Sequence, residues 1–231
     1  SNSRDMDDTQ RMIGLLRRLK VEMNGAVVDA MRSRGLDYPL SYGVSVPTIR
    51  EIAKAYAPAH AFALFLFRQQ VRELKLAAAF IDDPSEVTAA QMREWADGLT
   101  NTELVEQVVS ALFRHAPDAP DMALEWMGSP EPMKRYAGLL TAASAIRAEK
   151  NRVWADRFFE QADRIARRGD LESFVGRGLV MLMRSLATVS PSLCERVKLW
   201  EQLCAASADG TLREVAGELQ WQLEYMEGGS D

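Results

Sequence analysis

The sequence predicts an all-α fold, an α-solenoid of about six antiparallel helix pairs built as a single domain over residues 4–231. Three observations predict it. Apolar residues recur at steps of three and four almost throughout, and alternating strand-like runs are nearly absent. Gly, Pro and capping residues cut the chain into about a dozen segments joined by two to six residues, and loops that short make successive helices antiparallel. The resulting units return roughly every 40 residues with two helices each, which is the HEAT and armadillo pattern, so the pairs are expected to be HEAT-like.

Each element has its own signal. One or two helices cover about 5–34, with Asn24-Gly25 as a break and Gly35 as the stop, and 37–43 is a loop. Ser45 reads as an N-cap and Pro47 sits in the first turn, where its missing N–H costs nothing, so a helix covers 46–56. Pro58 opens the next, and a helix over 69–81 stops at Asp82-Asp83-Pro84. Thr88 caps a helix ending near Gly98, and Asn101 caps one running to about His115. Pro120 begins a helix that Gly128-Ser129-Pro130 ends, and 131–147 and 152–168 follow, the latter closed by Gly169. Asp170 is expected to cap a helix through Ala187, Ser190-Pro191 to start one reaching Ala206, and Thr211 to cap the last, to about Met226.

Composition narrows the function classes. The longest apolar run, 61–67, is far below the ~20 residues a membrane span needs. No charged-then-apolar leader precedes a small-residue cleavage site, so a cytoplasmic location is expected. Cys194 and Cys204 fit a reducing compartment better than a disulfide framework. Together with His60 and His115 they lack metal-ligand spacing, so neither metal nor cofactor is expected. The net charge of −5 is unevenly spread: 134–184 holds eleven Lys/Arg against six Asp/Glu. A basic stretch in an acidic chain gives one face attractive to polyanions, or an ordinary set of solvated helix faces.

One pattern recurs at equivalent places in the units. Lys75-Leu76-Ala77-Ala78-Ala79, Arg135-Tyr136-Ala137-Gly138-Leu139 and Arg177-Gly178-Leu179-Val180-Met181 each set a basic residue before a small or apolar run. Val105-Glu106-Gln107-Val108-Val109 holds the same place with an acid. Equivalent repeat positions line up along one edge of a solenoid, so Lys75, Glu106, Arg135 and Arg177 are expected to form a row on its inner surface. Glu106 flanks the Val105/Val108/Val109 stripe and Arg135 flanks Tyr136/Ala137/Leu140, which suits either a shared groove or an ordinary inter-helix ion pair. Trp95, Trp126, Trp154, Trp200 and Trp221 read as helix-packing residues.

The segment Tyr42-Gly43-Val44-Ser45-Val46-Pro47-Thr48-Ile49-Arg50-Glu51-Ile52-Ala53-Lys54 resembles the opening of the AlkD-like HEAT-repeat DNA alkylation repair glycosylases. Arg72-Glu73-Leu74-Lys75-Leu76-Ala77 is similar to that family's next helix, Val105-Glu106 to its Val-Asp pair, and Lys134-Arg135-Tyr136-Ala137 to its arginine-bearing segment. The resemblance implies duplex DNA held in a concave groove and hydrolysis of the N-glycosidic bond of N3- or N7-alkylpurines, without the usual extrusion of the base. Such a purine leaves as a neutral base, so the protein must chiefly stabilise an oxocarbenium-like sugar and place a water. On this resemblance Glu106 is the carboxylate and Arg135 holds phosphate or supports it, while Arg72, Lys75, Arg177 and Arg184 are expected as the DNA contacts of such a groove. The sequence departs from the family at three points: Thr102 and Met181 stand where tryptophans are expected, and the acid is Glu rather than Asp. The alternative is a non-catalytic relative that binds DNA structures or a protein in the same groove. A monomer is expected in either case.

Overall fold

A computed structural model describes residues 2–228, with side chains from residue 7 onward. The last residues of the expected domain, 229–231, lie outside that range. The described residues form helices α1 (Asn2–Val21), α2 (Gly25–Ser33), α3 (Val46–Ala53), α4 (His60–Phe67), α5 (Arg72–Ile81), α6 (Ala89–Asp97) and α7 (Thr102–Ala111). These are followed by α8 (Ala119–Met127), α9 (Pro132–Ala145), α10 (Ala155–Arg167), α11 (Ser173–Ala187), α12 (Pro191–Ala205) and α13 (Gly210–Gly228). Short 3-10 turns cover Pro84–Glu86, Phe113–His115 and Glu149–Trp154, and there is no strand among the described residues. The chain forms two compact units, Ser1–Pro117 and Asp118–Asp231.

Where a side chain can accept from the first free N–H groups, the helix starts as expected. Ser45, Thr88, Asn101 and Ser190 accept from Thr48, Gln91, Leu104 and Leu193 N–H respectively. Asn24 takes the N–H groups of both Ala26 and Val27, which divides the expected 5–34 stretch into α1 and α2. Two caps differ. Asp170 adopts a left-handed backbone (φ 49°) and Glu172 is the N-cap of α11, without a side-chain bond. Asp209 rather than Thr211 caps α13, accepting from Thr211 and Leu212 N–H. The expected 101–115 helix breaks at Leu112, and 152–168 opens with a 3-10 turn, so both α-helices are shorter than their sequence pattern.

In the first unit α3, α5 and α7 lie side by side, with α4 against α5 and α1 against α3 and α4. Every residue of α5 is buried except Phe80, which is half-buried. In the second unit α9, α11 and α13 form a row, backed by α8, α10 and α12. The core there runs through Leu139, Phe158, Leu179, Leu182, Val197, Val215 and Leu219, all less than 5% exposed. Helices α8 and α9 approach so closely that a Cβ on Gly138 would fall 2.6 Å from Met127 N and 2.8 Å from Ala123 O. Trp95, Trp126 and Trp200 are buried packing residues, as expected. Trp221 is not: it is 61% exposed and stacks along α13 on Tyr225, centroids 5.8 Å apart.

Candidate nucleic-acid interface

The first unit places Arg72 inside rather than on a surface. It begins α5, is 2% exposed, and grips the Glu103 carboxylate with two N–H groups (Nε to Oε1 2.7 Å, Nη2 to Oε2 3.1 Å). Its Nη1 donates to Glu73 Oε2 at 2.6 Å and to the Val44 carbonyl at 2.7 Å. Glu73, fully buried, accepts from the N–H groups of Tyr42 and Val44, so it organises the loop that leads into α3. The Tyr38 hydroxyl donates to Glu103 and completes the cluster. Burial and the negative Glu103 beside it push the Tyr38 phenol well above its usual range. Burial alone would raise Glu103 too, but the hydrogen bonds from Arg72 and Tyr38 and the charge of Arg72 hold its carboxyl below the ordinary range.

That depression makes the cluster acid-sensitive. A carboxyl whose folded pKa lies below its unfolded value adds stability above the unfolded value, near 4.3, and loses it as pH falls through the folded one. Native protein and Glu103→Gln are therefore expected to differ most in urea midpoint near neutrality and to converge as pH falls through the depressed folded pKa of Glu103. An equal gap at pH 3 and pH 7 would show that Glu103 is not the titrating anchor. Asp82 works in the opposite sense. Burial raises its pKa despite bonds from His60 and Gln91, so its contribution weakens as pH rises through that raised value.

Lys75 is also interior. It is 7% exposed, its Nζ donates to the Phe67 carbonyl at 2.7 Å and lies 4.3 Å from the Phe67 ring centroid, and burial lowers its pKa. Glu106 is exposed on α7, beside the buried Val105/Val108/Val109 stripe. Thr102, one turn before it, is half-buried.

In the second unit Arg135 is 5% exposed, and its Nη1 donates to the carbonyls of Ser129 and Pro130, closing the α8–α9 turn. Its Nη2 lies 3.7 Å from Glu172 Oε2. Burial, then the neighbouring Arg168 charge, lower its pKa. Arg177 and Arg184 behave differently. Gly176 of α11 faces Thr211 and Val215, and Gly178 faces Leu139 and Tyr136. The residue between them points outward, and steps of three and four carry that direction through Arg177, Met181, Arg184 and Thr188, all exposed. Neither arginine pairs with a carboxylate among the described residues. Arg184 and Arg147, which follows the end of α9, line a cavity of about 210 Å³ with Ser144, Ser185, Thr188 and Met181. No carboxylate lines it. Arg147 escaped the sequence reading because the repeat pattern ends before it. Of the basic stretch over 134–184, these three arginines form the exposed cationic front of the α9–α11 row. No group of three potential metal ligands occurs among the described residues, and no described helix is long and apolar enough to cross a membrane.

A solved structure described as "a new family of proteins related to the HEAT-like repeat DNA glycosylases with affinity for branched DNA structures" is similar to this one. Its TM-score is 0.71 at 16% identity, over 90% of this chain and 93% of that one. The all-helical fold is thus of the HEAT-like repeat class. A family model described as "DNA alkylation repair enzyme" matches residues 17–196, and the chain belongs to that family. A search among curated proteins returns no match.

Proposed function

We propose that this protein acts in DNA repair as a monomeric, cytoplasmic, single-domain protein that binds duplex DNA through the exposed cationic front of its α9–α11 row. The observation that carries the reading is the stripe of Arg177 and Arg184 on α11 with Arg147 beside it, cationic and without a carboxylate partner among the described residues. Guanidinium groups in that state suit phosphate oxygens, whose contacts release condensed counterions. Arg72, Lys75 and Arg135 are given no DNA contact, because all three are buried and hold interior carbonyls or carboxylates. The exposed Glu106 is the carboxylate for N-glycosidic hydrolysis at an N3- or N7-alkylated purine, stabilising the developing sugar cation and orienting water.

Fluorescence-anisotropy titration across salt concentrations tests the binding. The triple change Arg147→Ala, Arg177→Ala, Arg184→Ala is expected to make the log–log salt slope shallower by roughly two to three on duplex DNA. An unchanged slope removes the reading. Release of 7-methylguanine or 3-methyladenine from methylated duplex tests the chemistry, with Glu106→Gln expected to abolish it. If the native protein releases neither base, the second reading stands: a non-catalytic binder of DNA structures. Thr102 and Met181 favour that second reading, because each stands where the family resemblance implies a tryptophan able to stabilise a cation. Branched DNA, for which the similar structure's protein has affinity, is the ligand to compare with plain duplex.

A further inference from the structure

The two residues of the first unit expected to contact DNA, Arg72 and Lys75, are both buried. Its α3–α5–α7 row nevertheless carries one built cationic position. Arg50, exposed in the last turn of α3, lays its guanidinium over the Phe80 ring at 4.9 Å from the centroid. Its Nη2 reaches Gln107 Oε1 of α7 at 3.5 Å. Three neighbouring helices therefore contribute one residue each. Phe80 is the only residue of α5 that is not buried, so the single opening of an otherwise enclosed helix is where the guanidinium rests. No carboxylate pairs with Arg50 among the described residues.

Such an arrangement differs from a solvated surface arginine. The ring occupies one face of the planar cation and the amide oxygen engages one edge, so fewer rotamers remain to be lost on binding. The N–H groups that Gln107 does not engage leave a planar fork on an exposed residue, and such a fork matches a phosphate oxygen pair. We propose that Arg50, seated on Phe80 and steered by Gln107, is the phosphodiester-contacting position of the first unit. This rests on the DNA-binding reading above and adds to it a site in the half of the chain that the arginines of α9 and α11 do not serve.

The test uses the full chain and a duplex of about 20 base pairs, with affinity followed against salt concentration. Arg50→Ala is expected to weaken binding about tenfold near 100 mM salt, the effect of one charge-assisted hydrogen-bonded contact. It is also expected to make the log–log slope shallower by about 0.9, one phosphate's share of counterion release. Arg50→Lys keeps the slope because it keeps the charge, yet binds more weakly because a point ammonium loses the fork. Phe80→Leu keeps the slope as well and weakens affinity through lost orientation, and its melting temperature is recorded beside it to separate folding from binding. If native protein binds duplex and Arg50→Ala matches it in affinity and slope, this inference fails while the DNA-binding reading survives. A weaker Arg50→Ala with an unchanged slope also overturns it, since no phosphate contact was then removed. If native protein itself fails to bind at low salt, both fail together.

Discussion

Arg72→Met is expected to destabilise the protein by about 3–5 kcal/mol, the effect of removing one partner from a buried ion pair. The loss comes less from the missing attraction than from what remains. Glu73 is fully buried and Glu103 half-buried, and both would be left without the guanidinium that now donates three of the bonds they receive. The Val44 carbonyl would lose its Nη1 donor as well. Changing the acids together with the arginine, as Arg72→Met with Glu73→Gln and Glu103→Gln, is expected to recover part of the loss, because neutral amides tolerate burial better than unpaired carboxylates. Urea denaturation followed by circular dichroism reads both variants. A stability equal to native for the single change, with DNA affinity reduced, would return Arg72 to the surface role its sequence suggests.

Gly43→Ala is the second large effect, about 3 kcal/mol or more from backbone strain and steric overlap combined. Gly43 has φ of 71°, a left-handed conformation that side chains rarely adopt, and an added Cβ would fall 2.1 Å from the Asn24 carbonyl oxygen. That oxygen belongs to backbone already tied to the loop, since Asn24 N–H donates to the Tyr42 carbonyl. Neither side can move without breaking the cap of α2 or the Glu73-held turn. Gly35 and Gly169 supply the control: their φ values are 76° and 74°, but nothing lies within 4 Å of an added Cβ. Alanine there is expected to cost only the strain, about 1 kcal/mol. Thermal melts of the three variants check the ranking, and equal losses would show that steric approach adds nothing at Gly43.

The residues that made the fold legible were those whose effects are local. A hydroxyl or amide at an N-cap satisfies N–H groups two or three residues on, so Ser45, Thr88, Asn101 and Ser190 mark their helices from sequence alone. Asp170 misled because Gly169 and Asp170 both take left-handed backbone, which delays the start of α11 to Ser173. Asp209 was overlooked because Thr211 has the same chemistry two residues later.

The site was less legible. Lys75, Arg135 and Arg177 share a sequence pattern, yet two are interior and one is exposed. The pattern records where each residue sits on its own helix; whether that flank meets solvent is set by neighbouring helices. For Arg72 the deciding partner is Glu103, thirty-one residues away on α7. For Lys75 it is the Phe67 carbonyl left open at the end of α4. For Arg50 it is a ring on α5 and an amide on α7. By itself, then, the sequence determined an all-helical chain, most of its helix starts, and a family whose repeats carry basic residues at matching places. Only the tertiary structure decided which of those charges face outward, because a buried charge is tolerated only where donors and acceptors from distant segments converge on it.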